Sequence, residues 1–118
     1  MYGLPEKTDL SFLKGKQLLQ VCIGCNEVVL NFDGDLSITA QTDIGHKSAK
    51  LPSTIYKTSI AAAPVLVRFL HESVANASVA LPGTLVLEFS NTETLEIYDS
   101  SSHYESYVIN YAAKTIVV

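Results

Sequence analysis

Hydrophobic and polar residues alternate over much of this chain, as in strands that bury one face of a sheet. Alternate residues are apolar over 19–23 and again over 28–32, with turn-forming residues between the two runs. Asp33-Gly34 is a strong hairpin turn signal, and an apolar return strand begins at Leu36. The first third of the chain therefore predicts a three-stranded antiparallel meander.

One later segment has helical periodicity. From residue 60 onward, apolar residues recur at a spacing of three or four positions. Because proline is tolerated in the first turn of a helix but not in its interior, Pro64 predicts a helix that starts near residues 60–63. We expect this helix to end near Asn76. Residues 43–58 show no sustained period, and we interpret them as a connector.

The strand pattern resumes after the predicted helix, and segment 86–97 resembles segment 29–38. This echo has two interpretations: a duplicated three-stranded unit, or two hairpins that follow the same turn and alternation rules. The second is the simpler one. The pattern as a whole predicts a single α+β domain over residues 1–118, an antiparallel curved sheet or partial barrel of six to eight strands with one packed α-helix. Residues 1–12 are expected to form a loose N-terminal arm.

Composition and charge narrow the classes of function. The chain has 118 residues and a net charge of −4, which suits one acidic domain. Its eight basic residues are scattered, so nucleic-acid binding is disfavoured. The longest apolar stretch, residues 60–67, is far shorter than the roughly 20 residues needed to span a bilayer. The N-terminal residues do not resemble a signal peptide. We expect a cytoplasmic protein that does not bind membranes.

A polar run near the C-terminus, D-S-S-S-H-Y-E-S-Y, contains the residue types of a nucleophilic triad. Asp99, His103 and Glu105 could form the polar site of a small enzyme, and this is one alternative. However, triad members usually come from distant segments, and no nucleophile elbow occurs in the chain. We interpret the run as a hydrogen-bonded loop whose candidate binding residues are His103, Tyr104, Glu105 and Tyr107.

A second motif is the C-x-x-C pair formed by Cys22 and Cys25. Two thiols at this spacing can provide half of a zinc site or a redox pair. A structural zinc site needs four ligands, and the chain has no second C-x-x-C. We expect neither a metal nor another cofactor, and a metal or redox protein using these two cysteines remains the other alternative.

Several positions together resemble a small bacterial family of unknown function. They are Gly15, Val21, Pro64, the L-V-L-E-F of 85–89, the L-E-I of 95–97 and the Y-E-S-Y-V-I of 104–109. Members of that family have about this length and end in a motif of the form Y-E-[SA]-[YW]-x-[IL]. The resemblance covers residues 13–118. It implies the architecture above and brings no established reaction.

The apolar C-terminal segment suggests how the protein could act. If it lies at a sheet edge, its only charged residue is Lys114, and such an edge is usually covered or paired. A second copy of the chain or a strand of another protein could pair with it. We therefore expect a non-enzymatic protein-binding module, of immunity or inhibitor type or homodimeric.

Overall fold

The computed structural model of this chain describes residues 4–5, 7–50, 52–80, 82–100 and 106–118. Within these residues the chain forms ten strands, one α-helix and two short 3₁₀ turns. The strands are β1 Leu18–Ile23, β2 Val28–Phe32, β3 Leu36–Ala40, β4 Ile44–Lys47, β5 Thr54–Tyr56, β6 Val74–Ala80, β7 Thr84–Phe89, β8 Thr94–Ile97, β9 Tyr107–Tyr111 and β10 Lys114–Val117. The helix, α1, is Ser59–Leu66, and the 3₁₀ turns are Ser11–Leu13 and Val67–Phe69.

The strands form two antiparallel sheets that share one hydrophobic core. The first sheet has the order β1-β2-β3-β9-β10 and the second has the order β5-β4-β8-β7-β6. Leu30 and Ile38 of the first sheet and Leu87 and Leu95 of the second are at most 1% exposed. The sheets stay open, with edge strands at both ends of each. The predicted α+β class, with antiparallel strands and one packed helix, is confirmed.

The structure has more strands than the six to eight predicted, because β4 and β5 lie in the segment interpreted as a connector. β4 contains Gly45, which breaks the apolar alternation, and β5 has only three residues. Neither strand has a strong pattern of its own. Pairing of β4 with β8 and of β5 with β4 makes them strands, so tertiary contacts decide their conformation.

The helix begins close to the predicted position and ends earlier. Thr58 caps its first turn, accepting a hydrogen bond from the backbone N–H of Ala61 at 3.1 Å. The predicted end near Asn76 is wrong. Residues 72–74 pair instead with residues 16–18, where the N–H of Val74 donates to the carbonyl of Lys16 at 2.8 Å. This long-range pairing turns the apolar residues after 70 into the start of β6.

The N-terminal segment predicted as an arm adds side chains to the core. Leu4 and Leu10 are 4% and 5% exposed, and Leu13, in the first 3₁₀ turn, is fully buried. Phe12 stacks on Tyr111 of β9, with ring centroids 4.8 Å apart. These contacts tie the described part of the segment to the first sheet.

The two halves of the chain have the same topology. Strands β1 to β5 correspond in order to β6 to β10, and in each half the first three strands form a meander while the last two cross to the other sheet. A β-bulge interrupts the first hairpin of each half at the matching place, after Leu18 in β1 and after Val74 in β6. The hairpin turns also match, since Asp35 and Thr92 both have positive φ angles, 59° and 67°.

The hydrogen bonds around the bridge between the two halves follow the same twofold pattern. Gln17 forms a bridge with Ser73, its own counterpart in the second half. In the first half, Asp33 donates its N–H to the carbonyl of Gln17 at 3.1 Å, and its carboxylate accepts the N–H of Gln17 at 2.8 Å. Ser90 makes the same two contacts with Ser73, at 2.8 and 3.0 Å. This agreement favours the duplicated-unit interpretation of the sequence echo.

Because both sheets share one core, we predict that a cavity in the second sheet destabilises the whole chain. Leu87→Ala should lower the free energy of unfolding by about 2–5 kcal/mol, the usual cost of truncating a buried leucine. Leu19→Ala, at a residue 50% exposed, is the control and should cost less than about 1 kcal/mol. Urea unfolding followed by circular dichroism measures both. Two separate transitions in Leu87→Ala would contradict a single core.

Candidate functional site

The sequence-predicted binding residues fall in two groups. His103, Tyr104 and Glu105 lie outside the described residues, so their role stays a prediction. Tyr107 begins β9, is 1% exposed, and donates its hydroxyl to the carbonyl of Gly83 at 2.8 Å. Burial, with a smaller effect from the charge of Asp99, raises the pKa of Tyr107 well above its ordinary range. The ring of Tyr107 therefore joins the first sheet to the β6–β7 turn through the core.

The base of the polar loop is held by hydrogen bonds. The carboxylate of Asp99 accepts the hydroxyl of Ser106 at 3.0 Å, and the carbonyl of Ser106 accepts the N–H of Gln41 at 2.8 Å. The hydroxyls of Ser100 and Thr42 are 2.7 Å apart. These contacts place Asp99, Ser100 and Ser106 beside residues 41–43, where the chain crosses from the first sheet to the second.

A cavity of about 620 Å³ opens at this crossing. We call it the crossover cavity. Its walls are the β1–β2 turn, residues 41–43 and the start of α1. Its floor consists of Val28, Ala40 and Ile44, which are at most 2% exposed. These three side chains have almost no exposed surface, so the cavity presents mainly its rim and walls to solvent.

The rim of the crossover cavity is fixed by polar contacts. Lys57 forms an ion pair with Asp43 at 2.8 Å, and the hydroxyl of Ser59 donates to the carbonyl of Gly24 at 2.6 Å. The second contact ties the first residue of α1 to the β1–β2 turn. Glu27 lies on the same rim and forms no side-chain hydrogen bond or ion pair with the residues that the structure describes. The rim thus carries two carboxylates and one ammonium group.

The two cysteines have different surroundings. Cys25 is exposed and lines the crossover cavity, whereas Cys22 is half-buried on β1 and contacts the amide nitrogen of Asn31 at 3.8 Å. Both thiols are free. In the described part of the chain, no group of three or more histidine, cysteine, aspartate or glutamate residues could hold a metal ion.

A polar cluster that the sequence did not predict lies in the second sheet, at His46 of β4 and at Glu93, which directly precedes β8. His46 is only 3% exposed, so this polar side chain lies in the core. Its Nε2 lies 2.5 Å from a carboxylate oxygen of Glu93. Arg68 donates to both oxygens of the same carboxylate, at 2.9 and 3.2 Å. No motif points to this cluster, and recognising it requires the strand β4 that the sequence did not reveal.

The duplicated topology shows why this cluster is unusual. Both residues have apolar counterparts in the other half of the chain. His46 of the first half corresponds to Ile109, and Glu93 of the second half corresponds to Leu36. Burying a carboxylate is costly unless it is paired and hydrogen-bonded. Here both oxygens of Glu93 accept from one guanidinium nitrogen of Arg68, and one of them also contacts His46, which offsets that cost. Arg68 and Glu93 also line a second cavity of about 490 Å³.

Comparisons with known proteins add no assignment to this geometry. The chain matches no family model, no curated protein and no solved structure. The resemblance to a small bacterial family therefore stays an expectation from the sequence. None of the helices in the described ranges has the length and apolar character needed to cross a membrane.

We predict that Glu93 contributes more to stability than a glutamate of similar burial in a surface pair. Glu93→Gln should lower the free energy of unfolding by about 1–3 kcal/mol, because it leaves Arg68 and His46 without their charged acceptor. Glu96 is the matched control: its side chain is 13% exposed against 16% for Glu93, and its cationic partner Lys47 is about as exposed as Arg68, 53% against 49%. Glu96 contacts the hydroxyl of Tyr98 where Glu93 contacts the buried His46. Glu96→Gln should cost less than about 1 kcal/mol. Equal losses in urea unfolding would contradict this difference.

We also predict an alkaline loss of stability that depends on Tyr107. The folded state keeps the phenol protonated, whereas the unfolded state releases the proton above about pH 10, so this contribution is present below that pH and is lost above it. Thermal unfolding between about pH 8 and about pH 11 measures the effect. Tyr107→Phe should lose about 1 kcal/mol at pH 8 and show a flatter decline. Tyr98→Phe is the comparison. Burial and the charge of Glu96 raise the pKa of Tyr98 as well, so this variant should lose its own smaller part of the decline and keep the part that Tyr107 causes.

Proposed function

We propose that this protein is a non-enzymatic protein-binding module that uses an open sheet edge, in the first place to pair with a second copy of itself. One observation carries the proposal. The four edge strands, β1, β5, β6 and β10, contain a single charged residue, Lys114. Natural proteins usually protect such edges with charges, because unpaired backbone groups otherwise attract another strand.

The exposed apolar side chains support the same proposal. Four of the six large hydrophobic residues found exposed in the described ranges lie on edge strands, and the other two lie on α1 and the 3₁₀ turn after it. Those on edges are Leu19, Ile23, Ile55 and Val117. An apolar side chain beside an open edge adds buried area when a strand is added there.

Among the four edges, β10 suits strand addition best. Bulges interrupt β1 and β6, and β5 has only three residues, all features that protect an edge. β10 pairs with β9 without a register shift, and Val117 on it is 47% exposed. Pairing of two β10 strands would join two five-stranded sheets about a twofold axis.

The backbone of β10 has hydrogen-bonding groups available at its outer side. Val118 donates its N–H to the carbonyl of Tyr107 at 2.9 Å and accepts the N–H of Ser106 at 2.7 Å. Since successive residues of a strand turn their backbone groups to opposite sides, the N–H and C=O groups of Thr115 and Val117 point away from β9. These groups can form the ladder with an added strand.

An immunity- or inhibitor-type role is a narrower form of the same proposal. In that role the edge of β10 would accept a strand from another protein in place of a second copy. The net charge of −4 favours a basic partner, because complementary charge speeds encounter.

We predict that the protein self-associates and that a charge on β10 prevents it. Val117→Lys should shift a dimer to monomer in sedimentation velocity at concentrations where the unaltered chain is dimeric, by at least about tenfold in the dissociation constant. Val67→Lys is the matched control, because Val67 is 49% exposed and lies next to α1, away from the edge. It should leave association unchanged.

Two results would overturn the proposed self-pairing. One is a chain that stays monomeric at all concentrations tested. The other is an equal loss of association in Val117→Lys and Val67→Lys, which would mean that general apolar contact, and no particular edge, holds the copies together. Hydrogen exchange adds an independent measurement, because the amides of Thr115 and Val117 should be protected in the dimer and exposed in the Val117→Lys monomer.

A further inference from the structure

The second cavity, which Arg68 and Glu93 line, lies where the first half of the chain holds an aromatic stack. In the first half, Phe12 of the first 3₁₀ turn stacks on Tyr111 of β9, with ring centroids 4.8 Å apart. Leu36 pairs with Tyr111 across the strands and is only 2% exposed. The core is therefore closed at this end of the first sheet.

Arg68 takes the place of Phe12, because the two 3₁₀ turns are counterparts. Gly15 comes just after the first turn and His71 at the same distance after the second, both with positive φ angles, 86° and 73°. Each of them donates its N–H to the first strand of the other half, at 2.8 and 2.9 Å. Phe12 and Arg68 are the middle residues of their turns.

Ser48 takes the place of Tyr111. Since His46 corresponds to Ile109, the residues two positions further along the chain are also counterparts, and these are Ser48 and Tyr111. A serine hydroxyl thus stands where the first half has a tyrosine ring. Ser48 and Arg68 both line the cavity of about 490 Å³, which corresponds to the place of the two stacked rings.

The side chains of the second half leave this place open to solvent. The side chains of Arg68 and Glu93 are 49% and 16% exposed. Leu36, the counterpart of Glu93, is 2% exposed. The volume of about 490 Å³ is ample for one aromatic ring with a single substituent.

The charges around the second cavity favour an anion. Its lining includes the cations Lys50 and Arg68 and the carboxylate of Glu93, in a chain whose net charge is −4. Arg68 uses one nitrogen, Nη2, for both contacts with Glu93, and its Nε and Nη1 form no hydrogen bond with the residues that the structure describes. Within the described ranges Lys50 forms no ion pair. Donors for a bound anion are therefore available on both cations.

Glu93 and His46 hold Arg68 in place before any ligand arrives. Nη2 of Arg68 lies 2.9 and 3.2 Å from the two oxygens of Glu93, and one of these oxygens also contacts the buried His46. A group that is already ordered loses less conformational entropy on binding. This gives a reason for a glutamate and a histidine at positions where the other half has Leu36 and Ile109.

We propose that the second cavity binds a small aromatic carboxylate. The ring takes the place that the ring of Tyr111 fills in the first half and lies on the guanidinium of Arg68, because a guanidinium plane stacks on aromatic faces. The carboxylate meets the ammonium group of Lys50. This inference goes beyond the proposed strand pairing and is independent of it, because the cavity is lined by Arg68 and by residues that follow β4 and precede β8, whereas the pairing uses β10.

An NMR titration of the full chain, followed through its backbone amides, tests the proposal. Benzoate, added up to about 20 mM at constant ionic strength, should shift the amide signals of Ser48, Lys50 and Asn91 with a dissociation constant in the millimolar range expected for so small a ligand. Acetate has the charge without the ring, and benzyl alcohol has the ring without the charge. Each should bind at least about threefold more weakly than benzoate, because each makes one of the two contacts.

Two substitutions test the ring and the charge separately. Ser48→Tyr places a tyrosine where Tyr111 stands in the other half, and it should weaken benzoate binding by more than about tenfold because its ring fills the cavity. Lys50→Gln should weaken benzoate binding about two- to fivefold and leave benzyl alcohol unaffected. Lys47→Gln is the matched control, since Lys47 pairs with Glu96, and it should bind benzoate as the unaltered chain does. Lys50 is exposed, so Lys50→Gln keeps the test decisive even if Ser48→Tyr does not fold.

A further arm distinguishes two sources of the same chemistry. N-Acetylphenylalanine carries an aromatic ring and a carboxylate as the C-terminus of a peptide does. Binding of both N-acetylphenylalanine and benzoate would support a peptide with a C-terminal aromatic residue as the ligand. Binding of benzoate alone would support a free aromatic acid.

Three results would overturn the proposal. They are equal binding of acetate and benzoate, amide shifts confined to other parts of the protein, and unchanged benzoate binding in both Ser48→Tyr and Lys50→Gln. Repeating the titration with Val117→Lys, the variant expected to be monomeric, keeps the result separate from the proposed strand pairing. Benzoate should bind this variant as it binds the unaltered chain.

Discussion

The antiparallel bridge between residues 16–18 and 72–74 is the contact on which this fold depends. It pairs Gln17 with its own counterpart, Ser73, and each of these residues is held in turn by the hairpin turn of its own half. The last two strands of each half cross to the other sheet, so neither sheet is complete without both halves. The bridge therefore fixes the relation of two interleaved units, and the shared core follows from that relation.

The functional candidates lie where the two halves differ. The ring of Tyr107 reaches the β6–β7 turn, whereas the counterpart of Tyr107 in the first half is the shorter Ile44. The same comparison places a polar contact, His46 with Glu93, where the first sheet has apolar residues. Duplicated units that share a backbone are constrained to similar geometry, whereas their side chains are free to diverge. Differences between counterparts are thus a direct guide to sites in such a fold.

The sheet edges connect this framework to the proposed association. Because the last two strands of each half join the other sheet, the fold has four edge strands. Lys114 is the only charged residue on these strands. Three of these edges are bulged or very short, so the framework itself protects them. Only β10 combines regular pairing with an exposed apolar residue, Val117.

The sequence by itself determined the local hairpins, because alternation and turn residues such as Asp33-Gly34 act over a few positions. It also determined the α+β class and the approximate start of the helix. Only the tertiary structure decided that β4 is a strand, that the helix stops before β6, and that His46 is buried, since each depends on a partner distant in the chain. The crossover cavity was hidden for the same reason. Its floor joins Val28, Ala40 and Ile44 from three strands, and no local pattern records which side chains will meet.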